Sequence, residues 1–153
     1  LFAYTGSFSV YAAGAGASET TTVDMSSTYC EWARANFEFN GMPARDHAVV
    51  RADVKTWLAD AATAGRTWDM AFVDPPTFSN SKKMTGVFDV QRDHLGLLSA
   101  VRDVLTPGGV IWFSTNFRKF KLDPSIDAVD FTAETTPPDF RNTRIHRAYR
   151  IVV

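Results

Sequence analysis

The chain has 153 residues, 45% of them hydrophobic, with 16 Lys and Arg against 17 Asp and Glu for a net charge of −1. That size and mix suit one folded domain with its own core, and the near-neutral balance does not by itself advertise nucleic-acid binding, although phosphates respond to local basic patches rather than to net charge. A single cysteine, Cys30, excludes an internal disulfide and a multi-cysteine zinc site and suits a reducing compartment.

No apolar run reaches the roughly 18 residues of a membrane-spanning helix. Residues 1–10 lack the charged start of a signal peptide. The chain opens on "LFAYTGS" rather than on methionine, which reads as the end of a strand entering a glycine turn. The expectation is a domain over residues 1–153, truncated at its N-terminus and cut from a longer protein.

Apolar strand-like runs alternate with helical segments, which argues for an α/β fold with a mostly parallel sheet and helices on both faces. Residues 1–3 are expected to be the tail of a first strand. Residues 7–15 form an alanine-rich helix closed by Gly14 and Gly16, and "ETTTV" at 19–23 forms a strand ending at Asp24. Ser26 or Ser27 can cap a helix reaching Asn36–Phe39, stopped by Asn40-Gly41. A short strand at 48–51, Asp53, and a helix from Val54 to about Ala64 follow, with a turn at Gly65-Arg66. Residues 68–73 form a strand that runs into Asp74-Pro75-Pro76. A loop over 77–88 leads to a helix at about 90–105. Pro107-Gly108-Gly109 is a turn, 110–115 a strand, and Asp123-Pro124 opens a short helix. Strands at 130–135 and 149–153 close the sheet around a loop.

Sheets of this kind bind ligands beyond the carboxyl ends of their strands, which directs attention to residues 4–7, 24, 53, 74–78 and 114–116. In Tyr4-Thr5-Gly6-Ser7, Gly6 permits a tight turn and close backbone approach to a ligand. It is not G-x-G-x-x-G, and an ordinary strand-to-helix turn explains it equally well. Asp24 stands eighteen positions after Gly6. An acid at about that spacing suits a ribose diol, because a carboxylate accepts two hydrogen bonds, and it also suits a helix cap. Asp53 fits either acceptance from an adenine amine or the cap of the helix that follows.

Asp74-Pro75-Pro76 ends a buried strand, since two prolines fix φ and cannot continue a ladder. The corner presents carbonyls and a carboxylate outward, with Thr77, Ser79 and Asn80 able to meet base edges. Phe78 can stack on a flat ring, and such stacking is worth about 1–3 kcal/mol per base. These residue types fit a platform for a flipped-out nucleobase. A rigid surface turn with a capping Asp is the alternative, and it leaves Phe78 unexplained.

This order of elements, with Asp-Pro-Pro after the fourth strand, resembles the class I S-adenosylmethionine-dependent methyltransferases of nucleic acids. "FVDPPTFSNSKKM" with "FDVQRDH", "LFAYTGSFSVYAAGAGA", "TTTVDMSSTYCEWARANFEFNG" and "FSTNFRKFKLD" is more specific. Nearly the whole chain is similar to the C-terminal N7-guanine methyltransferase domain of the bifunctional bacterial 23S rRNA guanine methyltransferases. The resemblance implies a Rossmann-like sheet with an antiparallel closing strand, S-adenosylmethionine as cofactor, 23S rRNA as partner, and a cytoplasmic location. It implies that Tyr4, Thr5, Gly6 and Ser7 wrap the methionine part of the cofactor. Asp24 holds its ribose, Met25 packs on the adenine, and Asp53 bonds the adenine amine. Asp74 stands beside cofactor and base, and Pro75, Pro76, Thr77 and Phe78 meet the guanine. The turn has one glycine where the superfamily has several, so fewer backbone donors are bare and cofactor affinity is expected to be modest.

Guanine N7 carries a free lone pair at neutral pH, so alignment and proximity suffice without a base, a triad or a metal. A rival target, cytosine C5, needs a cysteine nucleophile, and Cys30 lies mid-helix, as a core thiol would. RNA contacts are expected from Lys82 and Lys83 in the loop after the platform and from Arg118, Lys119 and Lys121 after the fifth strand. Arg141, Arg144, Arg147 and Arg150 add to them. Gln91, Arg92, Asp93 and His94 open a helix near the platform, with His94 structural. Trp32, Trp57, Trp68 and Trp112 are expected in or near the core. Two further readings stay open: methylation of another rRNA base, and a cofactor-binding piece inactive without accessory RNA-binding domains upstream.

Overall fold

A computed structural model describes residues 1–80, 86–142 and 145–153. In chain order the elements are α1 (Ser7–Gly14), β1 (Thr20–Asp24), α2 (Ser27–Phe39), β2 (His47–Arg51), α3 (Val54–Thr63), β3 (Trp68–Val73), β4 (Phe78–Ser79), β5 (Phe88–Asp89), α4 (Val90–Arg102), β6 (Leu105–Thr115), β7 (Val129–Asp130) and β8 (Arg147–Val152). The chain divides into two units, 1–57 and 58–153, the division falling inside α3.

In the first unit β1 and β2 pair in parallel, Thr20 opposite His47 through Asp24 opposite Arg51. α1 and α2 pack on β1. Ser26 caps α2, its hydroxyl accepting from the Tyr29 amide at 3.3 Å. Val23, Cys30, Ala33 and Phe37 form the buried centre. His47 stacks on Phe37 with rings 3° from parallel and its Nδ1 lies 3.2 Å from the Thr20 hydroxyl. Trp32, expected near the core, is exposed on α2, because α2 buries the face that carries Cys30, Ala33 and Phe37.

In the second unit the order is β3-β6-β8-β7, with β3 and β6 parallel and the two closing pairs antiparallel. β4 and β5 form a separate antiparallel pair. Phe113, Phe120 and Tyr149 pack ring to ring at 5.4–6.4 Å, and His94 meets Phe120 edge-on at 4.9 Å.

Several local expectations need correction. Residues 1–3 are not a strand. Ala3 N–H does bond the Val23 carbonyl, but Phe2 and Tyr4 take left-handed φ values of 56° and 51°, which break an extended ladder. The expected loop 77–88 contains the β4–β5 pair. The helix ends at Arg102 rather than near 105, and β6 starts at Leu105, so the turn at 107–109 lies inside a strand. It is absorbed as a register shift, Trp68 facing Leu105 while Met70 faces Val110. Gly109 is needed there: a Cβ would lie 2.8 Å from the Thr106 carbonyl oxygen.

Asp123-Pro124 makes a single turn, not a helix, because the Asp123 carboxylate takes both the Ser125 amide (2.9 Å) and hydroxyl (2.6 Å). Those bonds, with that of the hydroxyl the larger influence, hold the Asp123 carboxyl below its ordinary pKa. The expected strand 130–135 stops at Asp130, whose carboxylate accepts the Thr132 amide at 2.9 Å and starts a turn.

His94 is 4% exposed. Its Nδ1 lies 2.9 Å from the Gln91 carbonyl and 3.1 Å from that of Val90, while Nε2 accepts the Asp123 amide at 3.0 Å. The pattern assigns a neutral ring protonated at Nδ1. His94→Ala therefore orphans a backbone N–H and opens a hole beside Phe120. The expected loss is about 3 kcal/mol, read by urea unfolding; a loss under about 1 kcal/mol would contradict the structural role assigned to the ring.

Candidate active site

In the first unit the structure gathers Tyr4–Ser7, Asp24 and Asp53 at the carboxyl end of the β1–β2 pair. Asp24 ends β1, and its two oxygens are both engaged: Oδ2 accepts the Tyr4 amide at 2.9 Å and Oδ1 the Ser26 amide at 2.8 Å. Asp24 is thus not the cap of α2, which is Ser26, but the post that holds the turn before α1 against the loop after β1. Tyr4 keeps its strained φ because its N–H is tied to this carboxylate. Its ring meets Tyr29 edge-on at 4.5 Å.

Gly6 has φ 73°, and a Cβ there would stand 2.9 Å from the Cβ of Ala33 on α2. This close approach seats the turn on the helix. Asn36, also on α2, donates from Nδ2 to the Thr5 carbonyl at 2.9 Å. Nothing local in "ARANFEF" marks Asn36 for that task, since its partner lies 31 positions away. The Thr5 and Ser7 hydroxyls lie 3.3 Å apart.

Met25, half-buried, lends its carbonyl to the Arg51 guanidinium at 3.4 Å. Asp53 caps α3: Oδ1 accepts the Thr56 amide at 3.1 Å and the Thr56 hydroxyl at 3.2 Å. Cys30 is 1% exposed. Burial, and then the nearby Asp24 charge, push its thiol pKa up. A buried, protonated thiol is a poor nucleophile.

In the second unit β3 and β6 end side by side, Val73 opposite Phe113. The Ser114 hydroxyl donates to Asp74 Oδ1 at 2.7 Å, so the carboxylate is anchored by the neighbouring strand. Pro75 is buried and Pro76 and Thr77 are exposed. The Thr77 carbonyl accepts the Val90 amide at 3.1 Å, and Phe78 is 56% exposed.

β6 then leads into a turn closed by Phe120 N–H to the Phe117 carbonyl at 2.9 Å. Phe120 is 1% exposed and anchors that turn, while Arg118, Lys119 and Lys121 around it stay exposed. Gln91 grips the same segment twice, Nε2 to the Lys121 carbonyl and Oε1 from the Lys121 amide, each at 2.9 Å. Arg147 pairs with Asp130 at 3.7 Å. Lys82 and Lys83, and Arg144, lie outside the described residues. Among the described residues no three His, Cys, Asp or Glu side chains gather as a metal site would require, and no helix is long and apolar enough to cross a membrane.

A model of the S-adenosylmethionine-dependent methyltransferase family matches residues 1–145. The chain belongs to that family. The ribosomal RNA large subunit methyltransferase K/L of Methylococcus capsulatus is 52% identical over 157 residues, covering 99% of this chain and 21% of that protein. The ribosomal RNA large subunit methyltransferase K of Neisseria meningitidis is 46% identical, covering 99% of this chain and 44% of that one. The chain therefore spans between about a fifth and less than half of the curated relatives it matches.

Among solved structures, a methyltransferase complexed with SAH superposes with a TM-score of 0.83 at 28% identity, covering 99% of this chain and 43% of that one. A SAM-dependent methyltransferase from Agrobacterium tumefaciens superposes at 0.72 and 22% identity, a likeness of fold. The methyltransferase fold is thus the Rossmann-like α/β type with antiparallel closing strands, and the family cofactor is S-adenosylmethionine. In α/β folds of this family ligands bind beyond the carboxyl ends of the parallel strands, where Asp24 and Asp74 stand.

Proposed function

We propose that this chain transfers a methyl group from S-adenosylmethionine to N7 of a guanine in 23S rRNA. The observation that carries it is the Asp-Pro-Pro corner: a carboxylate anchored by Ser114, a buried proline, and a phenylalanine more than half exposed three residues further on. Support also comes from relatives named as methyltransferases of large-subunit ribosomal RNA, similar along the whole chain.

The cofactor supplies a methyl group on a positively charged sulfur. The donor set of the first unit fits its nucleoside: each Asp24 oxygen uses one lone pair on a backbone amide and retains another for a ribose hydroxyl. Thr5, Gly6 and Ser7 would meet the methionine part with Tyr4, Met25 would pack on the adenine, and Asp53 would take its amine. On the second unit Asp74 would orient the guanine by accepting from N1–H or the exocyclic amine. Pro75 and Pro76 hold that carboxylate rigid, and Phe78 would stack on the base beside Thr77. Catalysis is then alignment of a lone pair that needs no deprotonation.

Arg118, Lys119 and Lys121 would contact phosphates. The buried, protonated Cys30 gives no support to methylation at cytosine C5. The reading places the protein in the cytoplasm with the ribosomal RNA. It also assigns further RNA-binding domains to polypeptide beyond these 153 residues, as the greater length of the relatives allows.

Mass spectrometry of nuclease-digested 23S rRNA tests this directly. Deleting the full-length gene should remove one N7-methylguanosine, restored by the wild-type gene but not by an Asp74→Ala copy. An N7-methylguanosine content unchanged by the deletion would refute the guanine assignment.

A further inference from the structure

We propose that the Arg92–Asp93 pair in the first turn of α4 is a positioning device that sets the Phe78 ring, an inference that rests on the base-platform reading given above. Phe78 belongs to β4, a strand of two residues, and pairs with Asp89 of the equally short β5. A ladder of that length holds its register poorly on its own. Asp89 is also the cap of α4, its carboxylate accepting the Arg92 amide at 3.1 Å. In return, Asp93 Oδ2 accepts the Asp89 amide at 2.9 Å. The register partner of Phe78 is therefore fixed from both sides by the helix start.

The guanidinium does more than a cap requires. Arg92 donates to both Asp93 oxygens, Nε and Nη2 each at 2.8 Å, in the two-pronged geometry that a lysine cannot reproduce. Nη2 also reaches outside the helix to the Val87 carbonyl at 2.6 Å, bracing the residue before β5. Beside it Phe88 is buried, so the brace closes on a fixed point. A cation in the first turn opposes the helix dipole, so helix stability alone does not favour an arginine at this position. Its bonds run instead to the segment whose pairing orients Phe78.

The test is a double-mutant cycle on kcat/KM for methyl transfer to unmodified 23S rRNA, in the full-length gene product. Cofactor affinity by calorimetry and thermal midpoint accompany each variant. Arg92→Ala should lower kcat/KM by about 10-fold through misplacement of the base, with cofactor affinity unchanged. Arg92→Lys, which keeps the charge and leaves the fold less disturbed, should resemble it. In a Phe78→Ala background the same Arg92 changes should cost less than about twofold, because the ring they act through is gone. Equal losses in both backgrounds, or cofactor affinity falling in step with transfer, overturn the positioning role. Full transfer by Phe78→Ala alone overturns the base-platform reading instead.

Discussion

Replacing Asp74 with alanine should cut methyl transfer by about 10²–10³-fold while cofactor binding, measured by calorimetry, stays within about twofold. The carboxylate ends β3 with one oxygen already committed to the Ser114 hydroxyl at 2.7 Å, which sets the direction in which the other can point. Asp74→Asn separates charge from shape. Its amide oxygen can still accept from Ser114, yet it replaces an acceptor with a donor wherever the guanine N1–H or amine would sit. A loss for Asn nearly equal to that for Ala would show that acceptance by the second oxygen matters. Ser114→Ala should be milder, removing one hydrogen bond worth about 1 kcal/mol and leaving the carboxylate freer to rotate. If Asp74→Ala weakens cofactor binding as much as transfer, Asp74 serves the cofactor and not the base.

Gly6→Ala should destabilise the protein by about 2–4 kcal/mol, summed from two separable causes. The first is backbone strain, since φ at Gly6 is 73°. The second is a clash: the new methyl group would stand 2.9 Å from the Cβ of Ala33. Urea unfolding of Gly6→Ala, Ala33→Gly and the double variant separates them. Removing the Ala33 methyl should recover the steric part and leave the strain. Relief cannot come from α1 alone, because Asn36 and Asp24 hold the turn at Thr5 and Tyr4. A Gly6→Ala protein as stable as wild type would mean that the turn can move off α2, and with it the expected cofactor contacts.

Alkaline stability follows from two further groups. Burial first, with the Asp24 charge adding, raises the Cys30 thiol; burial first, with Asp130 adding, raises the Tyr149 phenol. Both groups ionise more readily in the unfolded chain, so stability is retained below the ordinary values of 9.0 and 10.0 and declines as pH climbs past them.

Legibility in the sequence varied with the range of the interaction. α2 was legible because its cap, its buried spacing and its Asn-Gly stop all lie within the segment itself. β3 was legible because the apolar residues 70–73 run into Asp74 and a diproline, but the buried strand expected there is buried only at Val73, with Asp69 and Met70 exposed. The first strand was misjudged because "LFAY" has strand composition, whereas Tyr4 is pulled into a left-handed conformation by a carboxylate 20 residues away. The strand expected at 130–135 failed because the Asp130 side chain captured a nearby amide before a ladder could. The polar character of 77–88 concealed the β4–β5 pair, whose two members are too short to show alternation.

By itself the sequence determined the alternation of strands and helices, the caps, and the placing of Asp24, Asp53 and Asp74 at or just after the ends of strand-like segments. Those features depend on propensity, periodicity and chain stiffness, which act over a few neighbouring residues. Only the tertiary structure decided which distant groups two of these carboxylates hold: the Tyr4 amide for Asp24 and the Ser114 hydroxyl for Asp74. It also decided that the first turn of α4 grips the segments at 87–89 and 121–123. Four of these bonds span 20 to 40 positions, and a hydrogen bond at that separation is selected by how strands and helices pack, which no local pattern of residues encodes.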